Sequence, residues 1–496
     1  MNMKSNALAC VPLLRLAICL MVGIVVGDHL PLSVPILPVF MGIVVIALFL
    51  WRHAQVQSVV ISLSFVVLGA LLMQRQKVQL QTVWPEGEVR FEAVVLSEPL
   101  EKPKTMAVDV MLTNSGRKLK CYLYKDEWSR SLQVGDGLHI QSQIRENSDW
   151  HIGSFDYRRY LEVHGFTGST FVSSWKWRKA QVSLLNLSRL ERTKLYFLKL
   201  RSRLLARIRT DQIDEDAQAV VSAMVLGDKS ALTQELRDVY AVTGASHVLA
   251  LSGLHLGIIY TLLSLLIVGR RWHTVSQMLI VLCIWAFVFL VGMSTSVVRS
   301  ATMLTVYALL SLGHRDKMTV NTLAFTALVM LVLNPLSLYD VGFQMSFMAV
   351  FAILILMPLM MRLFSTEYLL FHQPLRWIWS MVAVSCAAQI GVAPLIAYYF
   401  GRFSCYFLLT NFIVIPAATL ILWLSPVVLV FPSLAYLLLY IVKCLNTVLG
   451  QIAAWPGASI EALHPSVLQT AMIYVVIFSL TYILTIVGYR SGSPRP

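Results

Sequence analysis

Residues 244–260 read GASHVLALSGLHLGIIY. The run is apolar enough to enter a membrane, yet it holds His247 and His255, Ser246 and Ser252, and a glycine at 253. A polar side chain facing lipid lacks a partner, and an ionised one at mid-bilayer costs roughly 2.5–3.5 kcal/mol even on the lenient insertion scale. Such residues belong on a bundle interior or against a wet cavity. Taken as one continuous helix at ~100° per residue, His247, Ser252 and His255 fall within an arc of about 140°. Gly253 lets a neighbouring backbone come close, or lets the helix break.

The surrounding composition gives this stretch its setting. The 496 residues are 57% hydrophobic and only 13% charged, with a mean hydropathy of +0.69. That excludes a soluble globule and predicts a polytopic α-helical membrane protein of about 12 spans. Three spans are expected near 8–27, 32–51 and 56–73. Nine more are expected near 246–268, 274–292, 296–312, 319–333, 342–361, 377–399, 405–430, 434–455 and 467–488. Pro31, Pro35 and Pro38 predict an irregular start to the second span. Ala7-Leu8-Ala9-Cys10 resembles a lipoprotein cleavage site but precedes its apolar run, so a retained helix is expected.

Between the two groups the period changes. RFEAVVLSEPL, MAVDVMLT, KLKCYLY and GDGLHIQSQIR are short, partly alternating and rich in β-formers, with turn signals at 114–116 and 135–137. Residues 78–180 thus predict an inserted small β-domain of about five strands, with an OB-like barrel as the natural candidate and an unrelated β-sandwich as the alternative. FDYRRYLEVH, 155–164, predicts a short helix, and 166–174 a further strand. Residues 189–209 carry eight basic residues and one acidic, interleaved with leucines. They predict a basic amphipathic helix at the membrane surface, anchored on lipid headgroups or lining a route for a polyanion. Residues 211–242 predict two short polar helices with a break at 227–230. The domain boundaries that follow are 1–77 for the first helices, 78–180 for the β-domain, 181–212 for the interfacial segment, 213–490 for the main transmembrane domain and 491–496 for a tail.

Charge orients the chain. The net charge is +14. One set of predicted loops holds Arg270, Arg271, Arg315, Lys317, Arg362, Arg376, Arg490 and Arg495, and the other holds Arg402 with Asp340 and Glu461. The basic set is expected in the cytoplasm. An N-terminus inside, Arg52 inside and three spans independently put the β-domain outside, with both termini cytoplasmic. Of seven cysteines only Cys121 falls in the polar block, so no disulfide framework is expected.

Further polar residues recur in the second group: Arg299 beside Thr295, Ser296 and Ser300; Gln344 and Ser346; Gln389 with Pro394; Asn411 with Pro416; and Lys443. Singly, each can be a hydrogen bond between helices, a snorkelling lysine or a satisfied core histidine. Together, Arg, Lys and two His in one bundle exceed what helix–helix glue requires. His247 and His255 lie eight apart without a carboxylate, so no metal site is expected.

HVLALSGLHLG, then SVVRSA, NPLSLYDVGFQMSF, AAQIGVAP, FGRFS and NFIVIP, resemble the competence domain of the ComEC family over roughly residues 150–490. The resemblance implies an inner-membrane channel that passes one DNA strand into the cytoplasm during natural transformation, with an external OB-like domain after the first helices. Many members end in a metallo-β-lactamase-like domain, and no HxHxDH run exists here. No nuclease or ATPase motif is found, so no enzyme activity or cofactor is expected. A DNA-receptor protein, a helicase-like ATPase and a separate nuclease are the implied partners, beside membrane lipid and a possible second copy of the chain.

On this reading His247, Ser252, Gly253 and His255 line the channel, Arg299 and Lys443 meet phosphates, and Gln344, Gln389 and Asn411 hydrate bases or support broken spans. Lys118, Lys120, Tyr122, Tyr124, Lys125 and Trp128 are candidates for strand binding by the β-domain. Two other readings compete. A secondary transporter for a small anionic solute uses the same midplane residues. An intramembrane hydrolase would pair Ser252 with a histidine, a poor geometry if both lie on one helical turn.

Overall fold

Strands and helices follow the two hydrophobic periods of the chain. The computed structural model describes residues 11–491 except 32–34, 50–53, 82–83, 148–150, 153–154, 186, 209–213, 268–272, 313–318 and 365–370. The possible cleavage site at 7–10 therefore lies outside the described residues, as do Arg52, Arg270, Arg271, Arg315, Lys317 and Arg495 of the topology argument.

The strands are β1 (Val89–Val95), β2 (Leu100–Glu101), β3 (Thr105–Leu112), β4 (Lys118–Tyr124), β5 (Gly137–Ser142), β6 (Ile144–Arg145), β7 (His151–Ile152), β8 (Phe155–Asp156), β9 (Phe166–Val172) and β10 (Trp177–Lys179). β1 runs antiparallel to β3 and β5, and β3 antiparallel to β4. β4 pairs with β9 in parallel, Tyr122 opposite Phe171. β6 resumes two residues after β5 ends and pairs with β9, Ile144 opposite Thr170. The strand path that leaves β5 through β1, β3, β4 and β9 therefore returns to the continuation of β5. Alternation decides what fills it: Leu119, Cys121 and Leu123 are fully buried with Val108, Val110, Leu138 and Ile140, while Lys118, Lys120 and Tyr122 point outward. Gly116 closes the β3–β4 turn at φ +67°.

Helices α1 (Pro12–His29), α2 (Ile36–Phe49) and α3 (Ala54–Leu80) precede this domain. α3 outruns its predicted end at 73 and the domain boundary at 78. Residues 74–77 are good helix formers, and the extra turn is tied down: Gln74 Nε2 donates to Pro31 O at 3.1 Å and Lys77 pairs with Asp28. α1 and α3 touch through glycines. A Cβ on Gly23 would strike the Val66 backbone, one on Gly27 the Ala70 backbone, and one on Gly69 the Leu20 carbonyl. Small residues in this spacing let membrane helices approach without a hydrophobic driving force.

Within the β-domain α4 (Glu127–Arg130) starts on an Asp126–Ser129 capping box and α5 (Tyr157–Val163) on an Asp156 cap. Then α6 (Arg189–Ile208) opens on a reciprocal Ser188–Glu191 box. α6 packs part of its apolar face on protein. Leu195 is buried with Val94 and Met111 of the β-domain and with Leu187 just before α6, and Phe197 packs on Phe289 at 5.7 Å. Of its cations, Arg192, Lys199, Arg203 and Arg207 are exposed, while Lys194 and Arg201 are half-buried.

The remaining helices are α7 (Glu215–Val221), extended by one π-helical turn over Ser222–Leu226, then α8 (Gln234–Val242), α9 (Ser246–Leu249), α10 (Gly253–Ile267), α11 (His273–Leu290), α12 (Thr295–Leu312), α13 (Val320–Leu333), α14 (Val341–Met361), α15 (Gln373–Phe400), α16 (Phe407–Val430), α17 (Ala435–Ala453) and α18 (Val467–Ser491). Strands β11 (Phe403–Ser404) and β12 (Ser459–Ile460) pair as a short ribbon. Gly227, at φ +73°, makes the predicted break after α7. α7 is polar only at its start; Val220, Val221 and Met224 are fully buried. Pro394, Pro416 and Pro426 sit inside unbroken helices, so α15 and α16 are not the broken spans their prolines suggested.

Among the described residues seven helices are long and apolar enough to cross a membrane, and four shorter apolar helices lie between 253 and 333. The chain is a multi-pass helical membrane protein with a separate β-domain. Two compact units divide it, one holding residues 1–202, 286–293 and 302–343, the other 203–285, 294–301 and 344–496. The predicted boundary at 212–213 therefore marks a change of sequence character, while the second group of spans is shared between both units.

Candidate functional site

The predicted span 246–268 is not one helix. α9 ends at Leu249, residues 250–252 are non-helical, and α10 starts at Gly253. A single helical wheel through His247, Ser252 and His255 therefore does not apply. The local cause is legible in SGLH. Ser252 is the residue before the first turn of α10, and its backbone N–H donates to His255 Nδ1 at 3.3 Å. A side chain at the third helical position accepting from the cap amide is half of a capping box, with imidazole in the place usually held by Glu or Gln. The helix start is thereby stabilised inside an apolar segment, where water cannot do it.

The bond also fixes the ring. Nδ1 must be the bare nitrogen, so a neutral His255 carries its proton on Nε2. His255 is fully buried, and Nε2 has no hydrogen-bond partner among the described residues. The Val248 backbone carbonyl faces the ring. His247 has the opposite tautomer, since its Nδ1 lies 3.0 Å from the Gly244 carbonyl, which can only accept. His247 and Gly253 are exposed and Ser252 half-buried. Gly253 faces Ser300 of α12, whose Oγ would sit 3.0 Å from an added Cβ.

Ser252 Oγ lies 3.1 Å from His255 Nδ1, closer than one helical turn was expected to allow, because Ser252 stands outside the helix. The same Nδ1 lone pair already takes the Ser252 amide, which makes it a helix cap before it is a base.

The other predicted channel residues are dispersed over several helices. Arg299, 3% exposed, donates from Nε to Ser346 Oγ at 3.1 Å, joining α12 to α14. Gln344 accepts from the Tyr399 hydroxyl at 2.9 Å, joining α14 to α15. Gln389 and Asn411 are half-buried on α15 and α16. Lys443 is exposed on α17, on a face with Tyr436 and Tyr440, while Leu438, Leu439 and Val442 are buried behind it. Sequence reasoning did not single out Tyr240, whose hydroxyl donates to Asn446 Oδ1 at 2.8 Å, or the buried hydroxyls of Ser404 and Thr410, which have no partner among the described residues. Their signal was a polar residue in an apolar run, shared with many structural serines and threonines.

On the β-domain Lys118, Lys120, Tyr122 and Tyr124 share the outward face of β4. Lys120 is paired with Asp109 and Lys125 with Glu101, so two predicted cations are partly neutralised. Trp128 is exposed. Tyr122 stacks on Phe171 with ring centroids 4.8 Å apart, lies under Lys102 at 4.9 Å, and its hydroxyl is 3.4 Å from that of Tyr157. Burial, and then the Tyr157 hydroxyl, push the Tyr122 phenol upward from its ordinary value. Tyr157 continues to Tyr160 at 6.0 Å, and Tyr160 to His164 at 4.2 Å. Phe171, Tyr157 and Tyr160 were missed because the parallel pairing that brings β9 beside β4 is not written in either strand.

The competence protein family model matches residues 224–486. The chain is 24% identical over 481 residues to ComE operon protein 3 of Bacillus subtilis, covering 92% of this chain and 58% of that protein. It is 32% identical over 188 residues to an uncharacterized protein of Aquifex aeolicus, covering 38% of this chain and 42% of that one. It is 22% identical over 281 residues to Recombination protein 2 of Haemophilus influenzae, covering 55% of this chain and 34% of that protein. The chain thus spans less than two thirds of the length of each of these relatives. No solved structure gives a significant match. With the SGLH and GFQMSF segments inside the matched region, the chain belongs to the competence protein family, that of ComEC.

Proposed function

We propose that the chain conducts a single strand of DNA across the cytoplasmic membrane into the cell. The observation that carries this reading is the α9–α10 interruption: an apolar segment is opened by a dedicated cap, with His247 and Gly253 exposed beside it. Backbone irregularity at membrane depth is tolerated only in protein or against water. Family membership supplies the cargo. His247, Ser252, Gly253 and His255 line the passage, Arg299 and Lys443 meet phosphates, and Gln344, Gln389 and Asn411 hydrate bases or hold helices together.

The β-domain is OB-like. Its strand path supports this: five principal strands, one parallel pairing, and a return of the last ladder to the continuation of β5. It lies outside the cell and offers Lys118, Lys120, Tyr122, Tyr124, Lys125 and Trp128 to an incoming strand. Twelve spans follow if α2 and the four shorter apolar helices are counted with the seven long ones, putting both termini in the cytoplasm. A DNA-receptor protein outside, a helicase-like ATPase inside and a separate nuclease complete the pathway. The transporter and hydrolase readings are less well supported, the latter because the Ser252–His255 contact serves the helix start.

The test is uptake of labelled DNA by a transformable bacterium that depends on this chain. Arg299→Ala and His247→Ala, expressed at normal levels, lower uptake at least about tenfold. Unchanged uptake in both removes these assignments, and uptake of a small anion by liposomes holding the purified chain would favour a transporter.

A further inference from the structure

The outward face of the β-domain continues past β4. β9 sets Phe171 between Tyr122 of β4 and the short strand β6, whose Arg145 stands opposite Ser169. Side chains alternate along β9, so Ser169 and Phe171 share a face, and Arg145 lies diagonally from Phe171 on the neighbouring strand. Such diagonal neighbours are about 7–8 Å apart, within reach of long side chains. Both line a cleft of about 540 Å³, open to solvent, whose walls also hold Glu88, Gln143 and Lys176. That size falls among small-ligand sites.

Two features decide what the cleft fits. Phe171 is 59% exposed although one face of its ring is stacked on Tyr122, with centroids 4.8 Å apart. The ring is a platform held from behind, its other face and edge left to the cleft. Arg145 is exposed, and among the described residues no carboxylate pairs with it. The second cation, Lys176, is tied to Glu88, which also accepts from Gln141 Nε2 at 3.3 Å. The acid is thus answered within the wall of the cleft. An open aromatic face and an unpaired guanidinium, one diagonal apart, match a base and the phosphate attached to it. We propose that this cleft is a nucleotide subsite, which holds one unpaired nucleotide with its base on Phe171 and its phosphate on Arg145. A base inside a duplex is stacked on both faces, so the subsite selects single strands. That the nucleotide belongs to a DNA strand rests on the function proposed above, while the subsite itself does not.

The experiment uses the full chain in nanodiscs and three probes: an oligothymidylate, an abasic oligomer of the same length, and free thymidine monophosphate. The wild-type chain should hold the oligothymidylate at least about tenfold more tightly than the abasic oligomer, and Phe171→Leu should cut that ratio at least about threefold. Arg145→Ala should weaken both oligomers alike and lower the slope of log affinity against log salt by about 0.7, one phosphate's share for a single strand. Arg145→Lys, which keeps the charge, should restore the slope. Arg145 is an exposed side chain, so thermal unfolding should be unchanged in both of its variants. If oligothymidylate binds while the ratio survives Phe171→Leu, or the slope survives Arg145→Ala, the subsite is overturned and the DNA reading stands. If thymidine monophosphate binds as tightly as the oligothymidylate and both substitutions weaken it, the subsite stands as one for a free nucleotide and the strand reading falls. If neither nucleotide probe binds, the proposal is wrong.

Discussion

Asp28, at the C-terminal end of α1, is ion-paired to Arg159 on α5 of the β-domain, 131 residues further along the chain. Asp28 also takes Lys77 at 3.2 Å, and the Arg159 guanidinium lies 4.3 Å over the Tyr339 ring. Two membrane helices, the β-domain and the segment before α14 meet at one carboxylate. The contact places the C-terminal ends of α1 and α3 together beside the β-domain.

Asp28→Asn leaves two cations without their partner. The side chains are 12% and 23% exposed, between the exposed and buried limits for ion pairs, so a loss of about 2 kcal/mol is expected. Thermal unfolding of the detergent-solubilised chain and the rate of proteolysis between α3 and β1 report it. Arg159→Lys should not restore wild-type behaviour, because an ammonium keeps the charge but loses the planar contact with Tyr339.

Gly27→Leu should separate α1 from α3. A Cβ at Gly27 would lie 2.6 Å from the Ala70 Cα, a backbone atom that cannot turn aside. Gly42, where a Cβ meets nothing within 4 Å, is the control. A cysteine pair across the α1–α3 contact should crosslink in the Gly42→Leu background and lose at least about half its yield in Gly27→Leu.

Lys194 gives a pH signature. Burial, then repulsion from Lys118, lower its pKa to about 8 from 10.5, Asp109 and Glu191 opposing. Between these values the unfolded chain binds more protons than the folded one, so stability rises with pH across that window. Below pH 8 the folded state carries the full penalty. Lys194→Gln should therefore raise the unfolding temperature at pH 7 and flatten its increase between pH 8 and 10. An unfolding temperature that is equal or lower at pH 7 refutes the assignment.

The stacked pair Tyr122–Phe171 should matter more for strand binding than the lysines beside it. Lys120 and Lys125 are held by Asp109 and Glu101, whereas Phe171 presents an exposed ring. Base–aromatic stacking is worth about 1–3 kcal/mol per base. Phe171→Ala should weaken oligothymidylate binding by the full chain about tenfold, with Lys125→Ala changing it less than about threefold. Fluorescence anisotropy at two salt concentrations separates stacking from charge.

Much of this fold was legible because it depends on near neighbours in sequence. Predicted and observed spans agree closely at α13, α14, α16 and α17, since an apolar run bounded by turn residues fixes a helix wherever it packs. The five strands and the helix at 157–163 were legible for the same reason. The α9–α10 break was legible only as an alternative, since Gly253 permits a break without requiring one.

By itself the sequence determined a multi-pass membrane protein with an inserted β-domain, and the polar residues buried in its apolar half. Tertiary structure alone decided which of them meet. It set Arg299 on Ser346, Gln344 under Tyr399, Phe171 on Tyr122 and Asp28 against Arg159. It also set Leu195 of α6 against Val94 and Met111 of the β-domain. The reason is physical: hydrophobic period reports the environment of each face, which is a local average. A hydrogen bond or a stacked pair depends on register between segments far apart, which no local average contains.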